Sequence, residues 1–338
     1  MALSIKGAIS LLVRTPTALF PIALGLAGLG SALWVAAETL SVALAQTIGT
    51  GMLISAGVVL TIDIALYLAK FFGDRQAVRD DLSMATTANL LAPGFMAAMV
   101  LGSAWHAFSP VGGAIWMIAS VGHLLLLFRF VGQWLVHEYL PEDLNPTWFL
   151  PAAGIMTAAL TRPDLGPLKW PLLLLAIGVI LWMMLLPLIF RRLVFEPPLQ
   201  PGLRPTLFIL AAPFGLLAGG LQTLLPQISP LIPFGLLSGG GFLLLVFLAQ
   251  PKFLIRTGIA LSWWAATFPV SVIAMGFLRL DMSTGTLDLW IGSTFLVLAV
   301  ATISIATIAT IRAAWCTCAS TVSKTEAQIG EMQGYKRS

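Results

Sequence analysis

Residues 260–279 read ALSWWAATFPVSVIAMGFLR, an uncharged run that ends at Arg279 and carries one proline, Pro269, near its middle. About 20 apolar residues in helical form match the hydrocarbon thickness of a bilayer. Proline in that position removes a backbone hydrogen bond and bends the axis. Within a membrane this is tolerated where water, a side chain or a neighbouring helix satisfies the freed carbonyl. The run therefore predicts a bent membrane helix with a partner or a water-filled path at its bend.

The same arrangement occurs four times upstream. The strings LFPIALGLAG (19–28), LAPGFMAAMV (91–100), FLPAAGIMTA (149–158), AAPFGLLAGG (211–220) and TFPVSVIAMG (267–276) each hold one such proline: Pro21, Pro93, Pro151, Pro213 and Pro269. Each has a phenylalanine within two positions of it: Phe20, Phe95, Phe149, Phe214 and Phe268. Successive prolines stand 56 to 72 residues apart, the length of a two-helix hairpin and the mark of an internal repeat. Apolar runs between charged or Pro/Gly-rich joints place ten spans at 17–37, 46–70, 83–105, 111–136, 147–161, 169–194, 206–225, 230–249, 260–279 and 289–312. The five prolines fall in the odd spans; among even spans only the sixth has one well inside, Pro187. The expected fold is an all-α membrane protein of five helical hairpins. An inner ring of five Pro-kinked odd helices surrounds a central pore, and five even helices form an outer ring. Residues 1–338 make a single transmembrane domain ending in a short cytoplasmic tail, 313–338.

Composition excludes a soluble globule of this size. Of 338 residues 58% are hydrophobic and only 9% charged, against roughly 25% charged in soluble domains. Mean hydropathy is +0.95. Enzymatic readings find no support: His106, His123 and His137 are scattered, and the sequence has no H-E-x-x-H, P-loop or G-x-S-x-G. Cys316 and Cys318 form a lone C-x-C, too little for a metal site. No metal, cofactor or nucleic acid is expected.

The net charge of +4 is a matter of topology. Lys6, Arg14, Lys70, Arg75, Arg79, Arg129, Arg191, Arg192, Arg204, Lys252, Arg256, Arg312, Lys324, Lys336 and Arg337 all fall on one side of the ten-span plan. Arg162, Lys169 and Arg279 fall on the other. Fifteen against three puts both termini in the cytoplasm of a multi-pass inner (plasma) membrane protein. A secretory signal is the competing reading of the start, with Ala43-Leu44-Ala45 resembling a cleavage site. The first apolar run is too long for a signal core and carries the repeated motif, so it is read as the first span.

The hairpin repeat, the string Ser262-Trp263-Trp264-Ala265-Ala266-Thr267-Phe268-Pro269 and the Phe-Glu-Pro at 195–197 resemble the tellurite-resistance/dicarboxylate transporter family. That family includes bacterial TehA proteins and the slow-type anion channels of plant guard cells, and the likeness covers about residues 14 to 314. The resemblance implies a homotrimer in which each subunit has its own five-helix pore, plugged at mid-membrane by the phenylalanine of the string, here Phe268. The long terminal regulatory regions of the plant channels have no counterpart in this sequence, so control through phosphorylation of such tails is not expected.

Phe268 is the candidate pore gate, because an apolar ring at a bend closes a narrow path by excluding water. Phe20, Phe95, Phe149 and Phe214 are candidate pore-lining residues. Asp63, His123 and Arg129 are ionisable groups within spans, usually functional, but all three lie on even spans and are read as interhelical or trimer contacts. The odd spans hold no charge before Arg279, which argues against a coupled pump. Helix dipole ends and the dehydration cost of a neutral pore would select the anion, favouring nitrate over chloride. The expected function is a passive channel for small inorganic monovalent anions. The alternative is a secondary carrier or exporter of C4-dicarboxylate, sulfite or tellurite-type oxyanions.

Overall fold

The computed structural model describes residues 17–165, 167–255, 261–280 and 286–335, with side chains other than those of Ala85 and 313–335. Lys6, Arg14, Arg256, Lys336 and Arg337 lie outside the described residues, as do the side chains of Cys316, Cys318 and Lys324. Every element among the described residues is helical. Lipid demands this, because a helix satisfies its own backbone polar groups.

Nine described helices are long and apolar enough to cross a membrane: Thr17–Leu40, Ala43–Gly73, Thr86–His106, Pro110–Val136, Lys169–Phe195, Pro201–Leu224, Leu231–Leu248, Leu261–Leu278 and Leu287–Arg312. They coincide with nine of the ten expected spans and are named by their place in that order. The fifth, 147–161, is not a continuous helix. It runs through four short pieces, Pro146–Trp148, Phe149–Ala152, Gly154–Met156 and Thr157–Leu160, alternating 3-10 and α geometry. Pro151 and Gly154 interrupt any longer run. All residues from 145 to 160 are buried, the condition under which irregular backbone survives at membrane depth.

Burial separates odd from even. In the apolar windows of the first, third, seventh and ninth spans 67, 56, 72 and 83% of residues are buried; in the second, fourth, sixth, eighth and tenth the shares are 22, 39, 33, 28 and 33%. The even helices turn large apolar side chains such as Phe128 and Leu135 outward, as helices solvated by lipid do. Each even span packs on its own odd partner, and the odd segments pack in the closed order first, third, fifth, seventh, ninth, first. Small residues allow the close approach. A Cβ on Gly30 would lie 2.9 Å from the carbonyl oxygen of Gly49, and one on Gly49 2.8 Å from that of Gly30.

At the ends of the spans several expected cytoplasmic basic residues hold the chain together. Lys70 pairs with Asp81 at 2.6 Å. The Arg192 guanidinium donates to the Pro197 carbonyl at 2.8 Å, so the Phe-Glu-Pro at 195–197 is where the sixth span is tied off. Arg204 donates to the carbonyls of Leu199 and Phe253 and stacks over the Phe253 ring at 4.3 Å. The last helix continues from Leu287 to Tyr335, well past the expected tenth span.

Candidate functional site

The prolines do not sit in the middle of long bent helices, with one exception. Pro21, Pro93 and Pro213 stand in the first turn of the α-helices Phe20–Leu40, Ala92–His106 and Ala212–Leu224. A 3-10 segment precedes the first and the last of these, Thr17–Leu19 and Pro201–Ala211. Proline suits a first turn because its missing N–H is unpaired there anyway and its φ is already helical. Pro269 alone lies well inside a longer helix, Trp264–Leu278, where it leaves the Ala265 carbonyl without its usual donor. Pro151 falls in the short helix Phe149–Ala152.

Four of the five prolines meet. Pro21, Pro93, Pro213 and Pro269 line one small chamber together with Phe149 and Phe268. Its volume is about 30 Å³, room for one or two waters, and every side chain around it is apolar. A second, larger space of about 510 Å³ lies toward the Arg279 end of the bundle. This vestibule is lined by Ser31, Glu38, Ser103, Arg162, Gln222 and Arg279 among others. Among the described residues Phe268 alone lines both.

The neighbourhood of Phe268 explains its placement. The residue is 4% exposed and its ring lies over Gly28 of the first span. The flanking hydroxyls turn back on their own helix: Thr267 Oγ1 donates to the Trp264 carbonyl at 2.7 Å and Ser271 Oγ to the Thr267 carbonyl at 2.8 Å. Trp264 is held from outside by its Nε1 donating to Thr310 Oγ1 of the tenth span, 2.8 Å. The Trp-Trp-Ala-Ala-Thr-Phe-Pro string therefore anchors one end of a rigid helix and aims the phenylalanine inward.

The other phenylalanines diverge. Phe149, 1% exposed, lines the chamber. Phe20 packs edge-on against Tyr67 of the second span, centroids 5.9 Å apart, and over Gly94. Phe95 lies over Gly122 with its ring 6.2 Å from that of His123. Phe214 meets Trp182 at 4.8 Å and Gly239 of the eighth span. Phe95 and Phe214 each follow a chamber-lining residue (Pro93, Ala212) by two positions. At 3.6 residues per turn that is about 200° around the helix, so both turn toward the even spans.

None of the ionisable residues within even spans lines either space. His123 is fully buried and its Nε2–H donates to the Pro151 carbonyl at 3.0 Å. Asp63 is 5% exposed, with Oδ2 unpartnered among the described residues. Arg129 faces outward. The charged vestibule was not legible as a group. Arg279 is exposed, just past the end of Trp264–Leu278, and its guanidinium is charged.

Comparison with known proteins decides the family. The model of the SLAC1 family, described as voltage-dependent anion channels, matches residues 14–311. The chain belongs to the SLAC1 family. It is similar to two S-type anion channels of Arabidopsis thaliana. The likeness to SLAH2 is 24% identity over 184 residues, 54% of this chain and 35% of that one. With SLAH3 it is 24% over 230 residues, 67% of this chain and 36% of that one. The aligned part is thus little more than a third of either relative. Membership makes this a helical, multi-pass membrane protein of an anion-channel family, in line with the resemblance carried by the hairpin repeat and the Trp-Trp string.

Proposed function

We propose that this SLAC1-family protein is a passive channel for small monovalent anions, nitrate and chloride, with a pore enclosed by the five odd segments and shut by Phe268. The observation that carries the reading is the position of Phe268 between an uncharged chamber and a polar vestibule. An apolar ring filling a path a few ångströms wide makes a wetted state unfavourable. The α-helical stretches whose first turns hold Pro21, Pro93 and Pro213 open beside the chamber, and the positive ends of their dipoles would favour an anion over a cation without a fixed charge. A neutral chamber charges each anion its dehydration cost, so nitrate precedes chloride.

The basic asymmetry supports a plasma-membrane location with both termini cytoplasmic and the vestibule external. The homotrimer implied by the resemblance goes with this reading. The experiment is anion flux through the purified full chain in liposomes, compared with Phe268→Ala. Large uncoupled nitrate and chloride flux in the variant supports a gated channel. Flux that requires a proton gradient or a dicarboxylate on the opposite face points to a carrier instead.

A further inference from the structure

The chamber beyond Phe268 offers an ion nothing but apolar side chains, so an anion must be concentrated before it reaches the ring. The vestibule has the means. Arg279 follows the last residue of Trp264–Leu278, the helix that carries Phe268. It lies eleven residues along that chain, about 16 Å at 1.5 Å per residue. Lys70, Arg192 and Arg204 are committed to a carboxylate or to carbonyls. The Arg279 guanidinium, by contrast, makes no hydrogen bond or ion pair among the described residues, its backbone N–H alone donating, to the Met275 carbonyl. Arg162 adds a second guanidinium to the same wall, with Asp164 beside it at 3.4 Å. Gln222 Nε2 donates to the Gly276 carbonyl at 3.1 Å, and its Oε1 is buried without a partner among the described residues. An unpaired buried acceptor is costly, and a water carried by an arriving anion would satisfy it.

We infer that the vestibule is a capture site for a small, partly hydrated monovalent anion, centred on Arg279, with the Glu38 carboxylate as a fixed competitor for that guanidinium. The inference rests on the pore reading and extends it to the step before the gate. Glu38 lines the same space and stands beyond ion-pair distance of Arg279. A tethered carboxylate there weakens the hold on a mobile anion. Conduction requires that balance, because a site must bind well enough to fill and weakly enough to empty.

The test uses the full chain in liposomes on a Phe268→Ala background, so that the gate does not limit the rate. Initial flux is measured against nitrate concentration at low ionic strength and again with an impermeant salt added. Arg279→Gln is expected to raise the half-saturating nitrate concentration several-fold at low ionic strength, with the difference shrinking as salt screens the charge. Arg279→Lys should restore most of the loss, and Glu38→Gln should lower half-saturation. An Arg279→Gln variant that matches its conducting parent overturns the inference and leaves the pore reading intact. A fall in maximal rate that is equal at both ionic strengths and not rescued by lysine marks a structural residue and overturns it too. A parent that moves no nitrate overturns the pore reading and this inference together. Should Arg279→Gln not fold, Glu38→Gln decides: lowered half-saturation supports capture, and an unchanged value refutes it.

Discussion

The ring of Phe268 rests on the backbone of Gly28: a Cβ built on Gly28 would lie 2.8 Å from Phe268 Cδ2, closer than real Cβ contacts come. The glycine thus supplies the flat surface that holds the ring between the chamber and the vestibule. Gly28→Ala is expected to push the ring aside and raise resting anion flux, by less than Phe268→Ala does. In the double variant the alanine at 28 should add nothing, since its effect runs through the missing ring. Gly51→Ala, where a Cβ meets nothing within 4 Å, should leave flux unchanged. Liposome flux on the parent and the four variants checks this; additive effects of Gly28→Ala and Phe268→Ala would uncouple Gly28 from Phe268.

Removing the ring tests whether it is a gate or a packing residue. Phe268→Ala should raise conductance strongly and leave the order of anions unchanged, because selection is assigned to the chamber and its helix ends. A buried core phenylalanine costs about 3–5 kcal/mol when truncated. Here the space vacated opens onto the 510 Å³ vestibule and fills with water, so the expected loss of stability is smaller. Currents across an anion series, with thermal unfolding in detergent, separate the two roles. A strongly destabilised protein with unchanged flux would return Phe268 to ordinary packing.

Orientation is checked by reporters. A fusion after Ser338 should read cytoplasmic, and one inserted between Asp281 and Asp288 should read external, as the fifteen-to-three basic asymmetry requires. Two cytoplasmic readings would break the ten-segment topology and move the vestibule to the other face.

The period of the prolines made the hairpin plan legible, and the burial of the odd segments follows it. That Pro21, Pro93, Pro213 and Pro269 stand around one chamber was not part of that plan, which read the prolines as kinks. Direction was harder. Phe214 stands as near to a proline as Phe268 does and Phe95 only one position further, but nearness along the chain does not state which face of the helix a residue occupies. The broken fifth segment was foreshadowed only by its shortness and by Pro146, Pro151 and Gly154 lying close together. Gly25 and Gly28, three apart in LGLAGLG, were a signal for the close approach of the ninth span. Glu38, Gln222 and Arg279 come from three different spans, and no local motif announces that they share a wall.

His123 offers the sharpest contrast between a structural and a transport role. It is fully buried, and its Nε2–H donates to the Pro151 carbonyl at 3.0 Å. That carbonyl belongs to the broken fifth segment, whose irregular backbone cannot supply the usual helical donor to every acceptor. The fourth span therefore holds the fifth through this hydrogen bond as well as through packing such as Trp134 on Trp148. His123→Leu keeps the bulk but leaves the carbonyl unsatisfied in an apolar surrounding, a loss of about 1–3 kcal/mol. His123→Gln keeps a donor and should recover part of it. Because His123 lines neither the chamber nor the vestibule, the order of anions conducted by the Phe268→Ala background should be the same with either substitution. Unfolding temperature and anion order, measured on the same preparations, are the two readouts. A lowered unfolding temperature with an unchanged order assigns His123 to holding the fifth segment in place. An altered order with an unchanged unfolding temperature would put the imidazole in the conduction path.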